Sequence, residues 1–166
     1  MPNDIAQLIG TLGDKDGLKR QEARVALEKI GKPAVPALIA ALSDAKESVR
    51  WEAAKAFTNL KAPTAAEALV KALRDESFEI QWLAAEALIA LKREAIVPLL
   101  RALLEHSGSG SLQQGAHHVL HALERAHQLG EPSLQVLNAL RTLDPEFSVM
   151  AASKNALEVL GAQKNG

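Results

Sequence analysis

Three residues between positions 117 and 124 have the types and the spacing of metal ligands. His117 and His121 are four residues apart, and Glu124 follows three residues later, so all three share one face of a helix. Two imidazoles and a carboxylate can supply three ligands to zinc or iron. The same spacing also occurs in polar helices whose imidazoles bond to the backbone or to water, and we favour this interpretation. We therefore predict neither a bound metal nor another cofactor.

The two tryptophans of the chain are the second group suited to a functional site. Trp51 and Trp82 lie in closely similar segments, and Phe78 precedes Trp82, so three of the five aromatic residues fall in one part of the sequence. Tryptophan is enriched among the residues that contribute most to protein binding. We predict that Trp51, Phe78 and Trp82 form the anchor of a protein or peptide site. The alternative is that the indoles pack on each other and on lysine side chains and brace the fold.

The composition restricts both the fold and the chemistry. The chain has 166 residues, of which 48% are hydrophobic and 3% aromatic. Alanine and leucine make up about a third of it, which favours helices over strands. The absence of cysteine excludes disulfides, thiolate nucleophiles and Cys-ligated metal sites. A net charge of -1 argues against a dedicated binder of nucleic acid or anionic membrane.

No part of the sequence has the pattern of a targeting or membrane segment. No run approaches the roughly 18 consecutive apolar residues of a membrane span. The N-terminus lacks the basic and apolar regions of a secretory signal. We therefore predict a cytoplasmic protein without membrane insertion.

Two short units alternate along the chain and predict its architecture. The unit at 49–57 recurs at 80–88, 19–27, 112–120 and 149–157. The other unit occupies 5–14, 35–44, 66–75, 96–103 and 134–140. Both units place apolar residues at helical spacing, so each unit predicts one amphipathic helix.

The alternation predicts an all-α fold of five helix pairs in a single domain over residues 1–166. The boundaries of the pairs are expected near 1–31, 32–61, 62–92, 93–129 and 130–161. In the last pair Ser153 and Lys154 stand where the second and third pairs have alanine. A terminal repeat needs a polar outer face, so these residues predict a C-terminal cap and a nearly complete chain.

The second and third pairs resemble the HEAT repeat, and the resemblance extends over nearly the whole chain. It rests on Val35-Pro36-Ala37-Leu38, on Asp44, and on Val49-Arg50-x-x-Ala53-Ala54-x-Ala56-Phe57. The branch it resembles is the short bacterial type that is similar to phycobilisome lyases. The resemblance implies an α-solenoid with a right-handed superhelix, in which the second helix of each pair lines the concave face.

The resemblance also implies a ladder of hydrogen bonds between the turn aspartates and the arginines of the second helices. The residues at these positions are Asp14, Asp44, Asp75, Arg20 and Arg50. Gln81, Gln113 and Met150 stand at the arginine position in the later repeats. We therefore expect the ladder to be incomplete toward the C-terminus.

If the second helices line a concave groove, three rows of side chains face it across the repeats. Both indoles belong to one row, Leu83 and Gly115 to the next, and Glu86 and His118 to the third. Phe78 lies next to Trp82. The predicted binding residues are Trp51, Trp82, Phe78, Leu83, Glu52, Lys55, Glu86, Gln21, Gln114 and His118. We predict no catalytic residue.

These observations predict a non-enzymatic scaffold that binds a protein or peptide segment in its groove, as a monomer or a homodimer. The mixed charges along the rows do not form the basic stripe that nucleic acid requires. The alternative is an assembly factor that handles a tetrapyrrole, as the lyase-like resemblance implies, or that uses a metal through His117 and His121.

Overall fold

Ten α-helices follow one another in the computed structural model, which describes residues 2–142 and 145–164. The first helices of the pairs are α1 (Pro2–Thr11), α3 (Val35–Ala41), α5 (Ala66–Ala72), α7 (Ile96–Glu105) and α9 (Glu131–Ala139). The second helices are α2 (Gly17–Ile30), α4 (Glu47–Asn59), α6 (Phe78–Leu91), α8 (Gly110–Arg125) and α10 (Pro145–Lys164). Short 3-10 helices at Lys32–Ala34, Pro63–Ala65 and Lys92–Ala95 lead into α3, α5 and α7. The predicted all-α solenoid of helix pairs is confirmed.

An aspartate closes the turn between the two helices in each of the first three pairs. The side chains of Asp14, Asp44 and Asp75 each accept a hydrogen bond from the backbone N–H two residues later, at 2.8, 2.8 and 3.0 Å. Such side-chain turns reverse the chain within a few residues. The aspartates therefore define where the second helices begin.

In the first three repeats, a side chain near the start of the second helix bonds back to this turn. Arg50 donates through Nη1 to the backbone oxygen of Asp44 at 3.0 Å, and Arg20 makes the equivalent bond in the first repeat. In α6, Gln81 takes this role and donates through Nε2 to the backbone oxygen of Asp75 at 2.6 Å. Glutamine can thus replace arginine within a repeat.

Arg50 also bonds to the neighbouring repeat. Its Nε donates to Oδ2 of Asp75 at 2.7 Å, and this hydrogen bond raises the pKa of Arg50. Arg20 instead lies near Glu52, with Nε 3.6 Å from Oε1. Gln81 carries no charge and bonds within its own repeat. Among the described residues, the ladder implied by the resemblance is thus found between the second and third repeats.

Small side chains allow the second helices to pack closely. α4 packs on α6, and both helices bury several alanines, among them Ala53, Ala54, Ala84 and Ala85. Small residues at a contact allow helix axes to approach to about 8–10 Å. The helices α2, α4, α6 and α8 form one layer, while α1 packs on α3 and α5 packs on α7 in the other.

The last pair departs from this arrangement. α10 packs against α7 and α9, and α9 packs against α8, so the two final helices exchange layers. Residues 126–130, which lead into α9, form a turn without a 3-10 helix, and His127 there has a φ of 54°. The prediction that 149–157 continues the groove wall is wrong, because α10 lies in the layer of the first helices.

The predicted polar cap on α10 is only partly present. Lys154 is exposed, but Ser153 is fully buried, and its Oγ has no hydrogen-bond partner among the described residues. Val149 and Ala156, on the same face of α10, are buried as well. The prediction that Ser153 belongs to a solvent-facing cap is therefore wrong, because this face of α10 is part of the core.

Among the described helices, α10 is the longest, and its length would be sufficient to span a bilayer. α10 has 20 residues, but it includes Glu146, Lys154 and Glu158. Within residues 2–142 and 145–164, no helix combines the length and the apolar character that crossing a membrane requires.

Candidate functional site

A cavity of about 320 Å³ opens between α6 and α8, the second helices of the third and fourth repeats. α6 contributes side chains at helical spacing, and α8 contributes three imidazoles. The lining residues are Phe78, Gln81, Trp82, Ala85, Gln114, Gly115, His117, His118 and His121. Most of its lining is apolar or aromatic, and among the lining residues Phe78 is 63% and Trp82 47% exposed.

Two small residues, Ala85 and Gly115, line this cavity. Ala85 is buried in the core between the helices. Gly115 brings the α8 backbone so close to Leu73 that a Cβ at this glycine would lie 2.9 Å from Cδ2 of that leucine. Leu73 is itself fully buried and has little room to move. A glycine at position 115 is therefore what allows α8 to approach the rest of the core here.

Trp82 of α6 packs against His118 of α8. Their ring centroids are 4.6 Å apart, and the ring planes are inclined by 37°. Nε2 of His118 in turn lies 3.1 Å from Oε1 of Glu86, one turn after Trp82 on α6. The indole is therefore held on one side by an imidazole that is itself fixed by a hydrogen bond. Glu86 and His118, which belong to one predicted row, are therefore neighbours across the two repeats.

The other two imidazoles of the cavity lie parallel to each other. The rings of His117 and His121 have centroids 5.9 Å apart and an angle of 5° between their planes. Burial lowers the pKa of His117, and the positive charges of Arg141, His121 and His118 lower it further. His117 is therefore uncharged at neutral pH.

Glu124 does not complete a metal site with these imidazoles. Its Oε2 lies 3.5 Å from Nη2 of Arg141, which follows α9. Among the described residues, no group of three or more histidine, aspartate or glutamate side chains is arranged to hold a metal ion. His117 and His121 line the aromatic cavity instead.

Trp51 lines a different cavity. This second cavity, of about 480 Å³, lies between α2 and α4, and its walls include Gln21, Arg24 and Glu47. Trp51 is half-buried and packs against the hydrophobic core. The two tryptophans occupy equivalent positions in adjacent repeats, yet Trp51 faces α2 and Trp82 faces α8. Trp51, Phe78 and Trp82 therefore do not form one anchor, because Trp51 lines one cavity and the other two line another.

Two predicted groove residues are buried. Leu83 is 8% exposed and belongs to the core, so the prediction that it faces the groove is wrong. Glu52 is 4% exposed, and its carboxylate lies 2.9 Å from Nε of Arg24 and 3.6 Å from Nε of Arg20. Glu52 still lines the α2–α4 cavity beside Trp51, but both arginines already engage its carboxylate. Each residue follows a tryptophan, and one step of a helix turns it toward the neighbouring helix.

The remaining predicted residues are distributed along the same layer of helices. Gln21 is exposed and lines the α2–α4 cavity, and Gln114 is exposed at the α6–α8 cavity. Glu86 is partly exposed behind His118, and Lys55 is partly exposed on α4 without lining either cavity.

Several lining residues of the α6–α8 cavity escaped the sequence analysis. His117 and His121 were assigned only to a metal hypothesis, and Gln81 only to the ladder. Ala85 and Gly115 carry no functional group. The repeat alignment contained one usable signal, since it places Gly115 and His118 in the rows next to that of Trp82.

A family model described as HEAT repeats matches residues 5–88 and 35–120. The chain belongs to the HEAT-repeat family. The matched region ends at residue 120, within α8. It contains the lining of both cavities except His121 and stops before the last pair, whose packing departs from the others.

Several engineered proteins of known structure are similar to this HEAT-repeat protein. One engineered protein is 22% identical, with a TM-score of 0.46 over 92% of this chain and 77% of its own. A designed armadillo repeat protein is 19% identical, with a TM-score of 0.41 over 93% and 98%. Another, solved in complex with the peptide (KR)4, is 21% identical, with a TM-score of 0.42 over 95% and 88%. Comparison with curated proteins gives no match.

Proposed function

We propose that this HEAT-repeat protein is a non-enzymatic scaffold that binds a protein or peptide segment across its second helices. The observation that carries the proposal is the pair of exposed aromatic side chains, Trp82 and Phe78, in an open cavity between two repeats. Large apolar side chains in a solvated cavity are typical of binding sites, and tryptophan is typical of their most important residues.

The contacts of Trp82 support its role as an anchor. His118 packs against the indole, and Glu86 fixes His118, so the indole is already oriented before a partner arrives. A side chain held in its bound orientation loses less conformational entropy on binding, which increases affinity. An exposed tryptophan without such contacts would lose more.

The proposed surface continues from the α6–α8 cavity toward the N-terminal repeats. Gln114 lies at one end of it, Lys55 on α4 in the middle, and Gln21 beside Trp51 at the other end. These polar and partly polar side chains can bond to the backbone of an extended segment around the aromatic anchor.

Selection of peptides from a random display library tests the proposal. A selected peptide should bind the Trp82→Ala protein at least tenfold more weakly, since removing an anchor residue costs about 2 kcal/mol of binding free energy. Phe147→Ala is the matched control, because Phe147 is an aromatic residue 73% exposed on α10, away from both cavities. Selected peptides that bind equally well to the wild type and to Trp82→Ala would contradict the proposal.

Several finer expectations stay predictions. The likeness to the phycobilisome-lyase-like type, the cytoplasmic location and the choice between monomer and homodimer are among them. A tetrapyrrole is much larger than an indole, and the volume of about 320 Å³ favours a single side chain over such a ligand. Light scattering of the purified protein would decide between monomer and dimer, and its absorbance spectrum would reveal a bound tetrapyrrole.

A further inference from the structure

We infer that the α6–α8 cavity receives one uncharged aromatic side chain of the bound segment, which lies against Trp82 and the imidazoles of α8. The inference rests on the proposed function and names the chemistry of the partner at the same site. Three properties of the cavity support it, namely its size, the charges around it and the rings that line it.

The cavity has the size of one large side chain. Its volume is about 320 Å³, at the lower end of the roughly 300–1,000 Å³ that is typical of ligand sites. Ala85 and Gly115 contribute no long side chain to it. An indole or a phenyl ring fits such a space, whereas an extended cofactor does not.

Burial on the α8 side disfavours a cationic guest. The pKa of His117 is lowered by burial and by the charges of Arg141, His121 and His118. Glu124, also on α8, lies 3.5 Å from Arg141 and is paired with it. A lysine or arginine side chain of the partner would meet the same unfavourable surroundings that keep His117 uncharged.

Negative charge on the α6 side disfavours an anionic guest. Glu86 lies one turn from Trp82 and 3.1 Å from His118. A carboxylate or phosphate in contact with Trp82 and His118 would therefore stand next to the Glu86 carboxylate. An uncharged guest avoids both costs, which adds to the main support for the inference, namely the size of the cavity and the rings that line it.

The rings of the cavity favour an aromatic guest over an aliphatic one. Trp82 and Phe78 line one wall, and the three imidazoles of α8 line the other. Aromatic pairs gain more than their buried area accounts for, which corresponds to roughly two- to tenfold in affinity. The imidazole nitrogens and the amide of Gln114 can also bond to an indole N–H or a phenol O–H.

Nuclear magnetic resonance of a Trp51→Phe protein tests the inference, because the indole N–H signal of Trp82 then reports on this cavity alone. The probes are N-acetyl-tryptophanamide, N-acetyl-leucinamide, N-acetyl-argininamide and the pentapeptide Gly-Gly-Trp-Gly-Gly. Both tryptophan probes should shift the signals of Trp82 and His118 saturably, with dissociation constants on the order of millimolar. The leucine probe should bind about threefold more weakly, and the arginine probe most weakly of all.

Two variants locate the shifts. Trp82→Ala, followed through the His118 signals, should abolish them, whereas Phe147→Ala should leave them unchanged. Leucine or arginine probes that bind as tightly as the tryptophan amide would overturn the inference, and so would unchanged Trp82 signals with both tryptophan probes. An amide that binds more tightly than the pentapeptide would assign the site to a free aromatic molecule and overturn the peptide as its source.

The two proposals fail separately. If the display-selected peptides need Trp82 but the tryptophan probes leave its signal unchanged, the aromatic guest is refuted and the scaffold function stands. If the selected peptides ignore Trp82 while the tryptophan probes bind there, the cavity recognises aromatic molecules but does not anchor a segment.

Discussion

Trp82 and His118 form an aromatic contact between the third and fourth repeats, with ring centroids 4.6 Å apart. Glu86, one turn from Trp82 on the same helix, forms a hydrogen bond with His118. His118 is thus held both by Trp82 and by Glu86. The contact both links two repeats and orients the indole that we propose as an anchor.

This relationship predicts a measurable coupling between the two rings. In a double-mutant cycle with Trp82→Ala and His118→Ala, the coupling free energy of unfolding should be about 0.5–1 kcal/mol, because aromatic pairs contribute beyond their buried area. Urea denaturation of the wild type, the two single variants and the double variant measures it. Strictly additive single effects would show that the rings do not interact.

The two tryptophans should differ in what they do for stability. Trp51 is half-buried and packs against the core, so Trp51→Ala should lower the free energy of unfolding by about 1–3 kcal/mol. Trp82→Ala should lower it by less than about 1 kcal/mol, because Trp82 is 47% exposed. Denaturation of both variants under the same conditions checks the order, and a larger loss for Trp82 would reverse our assignment of their roles.

Glu52 should be a stabilising residue. Its buried carboxylate lies between Arg24 and Arg20, so Glu52→Gln removes the charge that both guanidinium groups face, although Arg24 keeps its bond to Glu28. We expect a loss of about 3 kcal/mol in the free energy of unfolding. The control is Glu67→Gln, since Glu67 pairs with Arg101 on the surface and should contribute less than about 0.5 kcal/mol. Similar losses in the two variants would refute a structural role for Glu52.

His117 should make the fold sensitive to acid. Because its pKa is lowered in the native state, the unfolded chain binds this proton more readily, and stability falls as the pH decreases below the unfolded value of about 6.5. Above that value the imidazole is neutral in both states and the effect vanishes. Between about pH 7.5 and about pH 5, His117→Gln should therefore lose less stability than the wild type.

Thermal unfolding at both pH values measures this difference. His106→Gln provides the matched control, because His106 is an exposed histidine outside the cavity. It should show the same acid sensitivity as the wild type. Equal acid sensitivity of His117→Gln and the wild type would rule out His117 as its source.

Much of the fold could be predicted from the sequence because the repeat is encoded locally. The turn aspartates bond to amides only two residues away, and the arginines or glutamines bond back to the same turn. The apolar spacing within each unit is sufficient to predict a helix. Alignment of the repeats then predicts neighbours, as it does for Glu86 and His118.

The candidate site was harder to predict from the sequence, because membership of a row does not specify which neighbouring helix a side chain faces. Trp51 and Trp82 align in sequence, but one lines a cavity with α2 and the other a cavity with α8. Leu83 and Glu52 are next to these indoles in the chain and yet are buried. A modest rotation of a helix about its axis decides between groove and core, and no local pattern records that rotation.

The sequence by itself determined the helix pairs, their turns and the family of the repeat, because these depend on residues close together in the chain. Tertiary structure alone decided the exchange of layers by α9 and α10, the close approach at Gly115 and the gathering of three imidazoles around Trp82. The physical reason is that the packing of each helix depends on the side chains of all its neighbours, including those distant in sequence. The volume left by distant side chains sets how each helix rotates and which neighbour it meets.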